Sequence, residues 1–242
     1  MQLWLHPPPA QAVPNQAPRQ DRYFARPLLL WMPLRLWGVQ IRCPHADCPG
    51  RQGGASGTTL TRAGVYPRVR RVLDLRGYYH LAAETLECPR CRRKVISWSR
   101  AVVDQLQPRL AALFRVILTY RCGFDLDVVR LLRDRGLGNS PSRLYRQLLE
   151  AHGEEWQTAV HAYLSSVVAF AASGLHLPPL PAQQRVPTYK SLLKAYVLDA
   201  LSRVHLSKAL ITSVFGEVLK MDSRKKVRHD ALVLLWRQSV HT

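Results

Sequence analysis

Cys43 and Cys48 in "CPHADC" and Cys88 and Cys91 in "CPRC" are the residues whose type and spacing suit chemistry best. Two thiolates on one short turn offer a bite for a metal ion. Two such turns, brought together by a β-hairpin, complete the four-sulfur shell of a tetrahedral Zn²⁺. Spacings of x4 and x2, with 39 residues between Cys48 and Cys88, depart from the tightest ribbon pattern. The Gly/Ser/Thr loop Gly50–Thr61 accounts for much of the excess. Arg42, Arg90, Arg92, Arg93 and Lys94 surround the cysteines and would stabilise their thiolates. Four sulfurs leave no open coordination position, so the expected metal is one structural Zn²⁺ and not a catalytic ion. His45 is an alternative fourth ligand, and the competing reading is four reduced cysteines that only pack. Cys122 stands alone and is expected to be a packing residue.

A second feature is the single carboxylate Asp222 in "VFGEVLKMDSRKKV", where an apolar run leads into a cluster of cations. Two-metal phosphoryl chemistry needs several carboxylates around one phosphate. After Asp222 the sequence offers only Asp230, so no working catalytic set is expected there.

Charge narrows the partner. Of 242 residues, 35 are Lys or Arg and 16 are Asp or Glu, a net charge of +19. Such a field favours polyanions, nucleic acid first, with an anionic membrane surface as the alternative. The expected partner is double-stranded DNA and the expected location the nucleus. From Leu60 to Arg100 there are ten Lys/Arg against three Asp/Glu, interleaved with Tyr66, Tyr78, Tyr79 and Trp98. Arg68, Arg70, Arg71, Arg90, Arg92, Arg93 and Lys94 are the candidate phosphate contacts of this stretch. No membrane association is expected: "RPLLLWMPLRLWGVQI" is broken by Pro33 and Arg35, and "AYLSSVVAFAASGLHL" is too short to span. The start of the chain shows no secretory leader, and a reducing compartment favours metal binding over disulfides.

The elements that must position these residues predict an α+β fold: a small zinc-ribbon-like β module followed by a mainly helical domain. Residues 1–26, rich in Pro and Gln, read as a disordered arm. Residues 27–100 form the β-rich module, with strands in "VRRVLDL", "YYHLAAETLEC" and "KVISWS" and a turn at Arg76–Tyr78. Residues 101–176 turn helical: Leu110, Leu113, Phe114 and Ile117 follow the i, i+3, i+4, i+7 rule. A second helix fits Asp125–Arg135. A third, capped by Ser140 before Pro141, runs to about Ala151, and a fourth spans Trp156 to Val167. The Asp125–Ala151 pair reads as helix-turn-helix, which would nominate Ser142, Arg143 and Arg146 as further nucleic-acid contacts. Plain helical packing is the competing reading, because residues 101–157 are nearly neutral, and Leu144, Leu148 and Leu149 form the buried face. Residues 177–187 form a Pro-rich linker. Residues 188–242 hold one long helix and then the Asp222 strand.

Several stretches together, among them "WMPLRLWGVQIRCPHADCPG", "RRVLDLRGYYHLAAETLECPRCRRKVISWS", "LTYRCGFDLDVVRLLRDRGLGNSPSRLYRQLLEAHGEEW" and "ITSVFGEVLKMDSRKKV", resemble a transposon-derived family. That family carries the domain of unknown function 6729, and the resemblance covers roughly residues 28–227. It implies the zinc-binding, helical front half of a cut-and-paste transposase, ahead of an RNase H-like domain. Asp222 then matches the first of three metal-holding acids, and the chain is expected to be a catalytically incomplete fragment. A zinc-ribbon module for protein partners ranks second, and a metal-dependent strand-transferase or nuclease third.

Overall fold

The computed structural model describes residues 2–9, 18–51, 57–133, 140–168 and 179–214, with side chains as far as Val204 beyond Tyr189. The chain divides into two units, Met1–Leu201 and Ser202–Thr242. The first is built on a mixed eight-stranded sheet. Its strands are β1 (Trp4–Leu5), β2 (Leu28–Trp31), β3 (Thr61–Val65), β4 (Arg70–Leu73), β5 (Tyr78–Glu87), β6 (Lys94–Ile96), β7 (Val116–Leu118) and β8 (Gly123–Asp125). The main path runs β1-β2-β5-β4-β8-β7, with β3 and β6 both paired to the far half of β5. This is an α+β fold.

The ten-residue β5 is the spine. Its first half pairs in parallel with β2 (Leu28↔His80, Trp31↔Ala83) and antiparallel with β4 (Leu73↔Tyr78, Arg70↔Leu81). Its second half pairs with β3 and β6. Cores on both faces bury most of its side chains, so "YYHLAAETLE" shows little alternation of buried and exposed positions. Successive residues still take opposite faces. Val72, Tyr79 and Leu81 enter one core with Leu29, Trp31, Ile41, Val102 and Val116. Leu73, Tyr78 and Phe124 enter the other, against Val128, Val129, Leu144, Leu148, Leu192 and Ala195.

The helices are α1 (Gln20–Phe24), α2 (Pro33–Trp37), α3 (Arg100–Val103), α4 (Pro108–Ala111), α5 (Leu126–Arg130), α6 (Pro141–Val168) and α7 (Tyr189–Val214). The expected β strands and the Arg76–Tyr78 turn are present, the turn closed by Asp74 N–H on the Gly77 carbonyl at 2.9 Å. The long helix after Pro187 is α7. Ser140 accepts the Arg143 N–H on its hydroxyl at 3.2 Å, as an N-cap should.

Four expectations are corrected. The helix over Leu110–Ile117 is instead the single turn α4 and then β7. Val116 and Ile117 are β-branched and find ladder partners in β8, which outweighs a helical spacing of four residues. The sheet therefore continues past position 100. The third and fourth helices are one 28-residue helix, α6, on which Leu149 is exposed while Leu144 and Leu148 are buried. Parts of the Pro/Gln-rich arm are ordered: β1 extends the sheet, Trp4 packs edge-on to Tyr79 at 4.9 Å, and Tyr23 meets Tyr163 at 5.5 Å. Three aromatics in 26 residues bury enough surface to offset the composition. The described part of the Pro-rich linker, from Pro179, is docked: Val186 is buried, and the carbonyls of Arg185 and Pro181 accept from Tyr78 Oη (2.6 Å) and Trp156 Nε1 (3.1 Å). Residues 134–139, between the helix-turn-helix candidates, and Asp222 lie outside the described residues. Among the described residues no helix is long and apolar enough to cross a membrane.

Candidate metal centre and its basic rim

The two cysteine pairs sit where strand ends become turns. Cys88 follows the last residue of β5, and "CPRC" reverses the chain into β6. The reversal is fixed by Arg92 N–H on the Cys88 carbonyl (2.8 Å) and Cys88 N–H on the Arg93 carbonyl (3.0 Å). It needs a left-handed residue after the second cysteine, and Arg92 takes that conformation with φ +56°. The other pair is carried by a looser loop. Cys43 N–H binds the Thr58 carbonyl at 2.8 Å, beside the Arg42–Thr59 bridge, and Cys48 N–H reaches the His45 carbonyl at 3.3 Å. Gly50 lies tight against Thr58, where a Cβ would stand 1.8 Å from the hydroxyl oxygen.

All four sulfurs lie within 4.8 Å of one another. Cys43 to Cys91 and Cys48 to Cys88 are each 3.7 Å, far beyond a disulfide bond. Sulfurs about 2.3 Å from a central zinc define a tetrahedron with edges of about 3.8 Å. The cluster can hold one metal ion. His45 is not among its ligand atoms, and its Nε2 is shielded from solvent without a partner.

Backbone amides tune the sulfurs. Burial pushes the Cys43 thiol up to about 12, only partly opposed by the His45 N–H. Burial also works to raise Cys88, but amides of Cys91 and Arg90 and bonds from neighbouring thiols outweigh it and draw Cys88 down to about 7. Without metal the cluster thus favours a thiolate on Cys88 over one on Cys43, and loading a metal would release protons.

A cationic rim surrounds the turns. Arg90, Arg92, Arg93 and Lys94 are exposed. Arg93 forks onto Asp47 at 2.8 and 2.6 Å, drawing that carboxyl below its usual range. Glu87 lies 3.5 Å from Arg92 and 4.0 Å from Lys94. Exposed pairs of this kind contribute little to stability. Elsewhere Arg68 is exposed at the approach to β4, and Arg71 stacks on Tyr78 at 5.0 Å. Arg70 turns inward and donates to the carbonyls of Thr119 and Tyr120. Arg143 and Arg146 are exposed on the first turns of α6. Cys122 is half-buried beside the Thr119 hydroxyl and on the fringe of the second core.

Sequence reasoning missed a cleft of about 540 Å³ lined by, among others, Trp4, Arg26, Asp74, Tyr79, Arg115 and Asp125. Tyr79 and Asp125 are 46 residues apart, and no motif joins them. Tyr79 Oη donates to Asp125 Oδ2 at 2.9 Å, Arg115 bonds Asp127, and Arg26 faces Glu155 at 3.8 Å. Burial raises both the Asp125 carboxyl and the Tyr79 hydroxyl above their ordinary ranges. Arg115 and Arg26 are thus each paired with a partly exposed acid.

Fold and site define an α+β protein with four clustered cysteines, able to hold a metal ion, at the end of its longest strand. The chain belongs to the family carrying the Domain of unknown function (DUF6729), whose family model matches residues 1–201. That span takes in the ordered β1 and stops before Asp222. No curated protein and no solved structure matches the chain.

Proposed function

We propose that this chain is a zinc-stabilised DNA-binding module of transposase descent, nuclear and without catalytic activity of its own. The observation that carries the reading is the four-sulfur cluster with its rim of Arg90, Arg92, Arg93 and Lys94, in a chain of net charge +19. Thiolates alone favour Zn²⁺ over oxygen-seeking ions, and a filled shell gives the metal a structural role. A rigid turn carrying four cations suits the phosphate backbone of a duplex, each contact releasing counterions. Transposase descent and the vestigial reading of Asp222 rest on the sequence resemblance.

The test is metal content together with salt-dependent duplex binding. Wild-type protein should hold one zinc per chain and Cys88→Ser should lose it. The affinity for a mixed-sequence duplex should fall steeply between 50 and 200 mM salt, and Arg90→Ala with Lys94→Ala should flatten the slope by about one unit per lost contact. A salt-independent affinity, or no binding at low salt, rejects the reading.

A further inference from the structure

The hairpin joining β7 to β8 carries Tyr120, 90 % exposed, more than any other large apolar or aromatic side chain among the described residues. Its turn is unusually constrained. Thr119 N–H donates to the Cys122 carbonyl at 2.9 Å, leaving Tyr120 and Arg121 as the tip. A tight turn commonly adds a bond from the last N–H to the first carbonyl. Here Cys122 N–H points to Thr119 Oγ1 at 3.4 Å, and that hydroxyl donates to the Cys122 carbonyl at 2.7 Å. The Thr119 carbonyl is left for the Arg70 guanidinium, which also donates to the Tyr120 carbonyl at 3.0 Å. Arg70 is held there although its Nε is buried without a partner among the described residues. The parallel register Val72↔Gly123 brings the start of β4 level with the tip.

Tyr120 is therefore presented on a braced turn, next to the exposed Arg121, with Arg68 two residues before Arg70. Neither Leu60–Leu73 nor Val116–Cys122 contains an acid. An aromatic that anchors a protein partner normally sits inside an apolar, water-excluding patch. Tyr120 is flanked by Thr119 and Arg121 instead. An aromatic face among cations is the arrangement on which an unpaired base stacks while its phosphates are held.

We infer that the Tyr120 tip is a stacking platform for an unpaired nucleic-acid base, with Arg121 and Arg68 on the flanking phosphates and Arg70 as the positioning residue. This rests on the DNA-binding reading above and adds a preference for DNA with a single-stranded segment. The test compares wild type, Tyr120→Ala and Tyr120→Phe on a blunt duplex and on the same duplex with a short tail carrying 2-aminopurine. The tailed DNA should bind wild type more tightly and lose 2-aminopurine fluorescence. Tyr120→Ala should lose about 5- to 140-fold on the tailed DNA, the range that about 1–3 kcal/mol per stacked base gives at 1.4 kcal/mol per tenfold. It should keep blunt-duplex affinity, and Tyr120→Phe should keep both. Equal affinity of Tyr120→Ala and wild type for the tailed DNA overturns the inference alone. So does an equal loss on both DNAs, or capture of a protein that depends on Tyr120 while DNA binding does not. Failure of wild type to bind any DNA overturns this inference and the reading it rests on.

Discussion

At the scale of single residues, Arg92 separates stability from binding. A non-glycine residue at φ +56° costs roughly 1–2 kcal/mol relative to an unstrained one, and glycine would remove that strain. Part of the gain returns as lost unfolded-chain order. Arg92→Gly should leave the melting temperature unchanged or slightly raised while weakening duplex binding, measured by thermal melts and fluorescence polarisation. A clear drop in melting temperature would mean that the Arg92 side chain stabilises the turn. His152 offers a different handle. It is buried on α6, donates from Nε2 to the Asp74 carbonyl at 2.9 Å and packs edge-on to Tyr78 at 5.1 Å. Burial lowers its pKa, helped by Arg26 and opposed by Asp74 and Glu155. Because the folded value lies below the ordinary 6.5, protons bind the unfolded chain more readily. Stability is then complete above about pH 6.5 and falls as acid carries the pH below that value. Removing the titration with His152→Gln should flatten the melting temperature between pH 7.5 and 5.5 relative to wild type, whatever it does to the absolute stability.

At the scale of elements, Gly123 shows why part of the fold was not legible. It lies where β8 is squeezed between β4 and β7, and an added Cβ would sit 2.9 Å from Val72 Cγ2 and 3.1 Å from Val116 Cγ1. Gly123→Ala should destabilise by about 1–3 kcal/mol, read by denaturant melts, since the obstructing atoms belong to packed β-branched residues. A neutral result would mean the β4–β8 contact is looser than described. In the sequence that glycine is one of thirteen, and "RVILTYRCGFD" carries no alternation strong enough to separate a strand from a helix. β7 and β8 are three residues each and are fixed by non-local pairing, which no local window records. β4, β5, β6, the Ser140 cap and both cysteine turns were legible, because each is carried by local chemistry: β-branched runs, a capping hydroxyl, or a spacing of thiols. The docked end of the Pro-rich segment and the braced Tyr120 turn were not, because each depends on a distant partner, Tyr78 and Arg70. α7 was legible as a long helix but its docking was not: its buried Asp199 is bound by Arg133 through two bonds of 2.9 and 2.7 Å. Arg133→Ala leaves that carboxylate short of its main cation and should cost about 3 kcal/mol or more.

At the scale of the whole molecule, the question is whether the cysteine centre stabilises a detachable ribbon or the entire first unit. β5 decides it. Its far end leads into Cys88, its middle feeds the core around Trp31 and Leu81, and its first residue, Tyr78, enters the helical core with Phe124 and Leu144. A strand shared by both cores cannot loosen at one end without withdrawing side chains from each. Magnitudes point the same way. Structural zinc contributes about 10–16 kcal/mol in small zinc modules, comparable with or larger than the roughly 5–15 kcal/mol net stability of a whole domain. With the proposed zinc bound at the four cysteines, removing it with a strong chelator should therefore unfold Met1–Leu201 in one transition. Trp fluorescence, dominated by the first core through Trp31 and Trp37, and far-ultraviolet ellipticity, dominated by α6 and α7, should lose signal together. Cys88→Ser should behave like the chelated wild type. A fluorescence change that leaves the helical signal intact would show instead that the metal holds a separable ribbon, and that the sheet tolerates losing the end of its central strand.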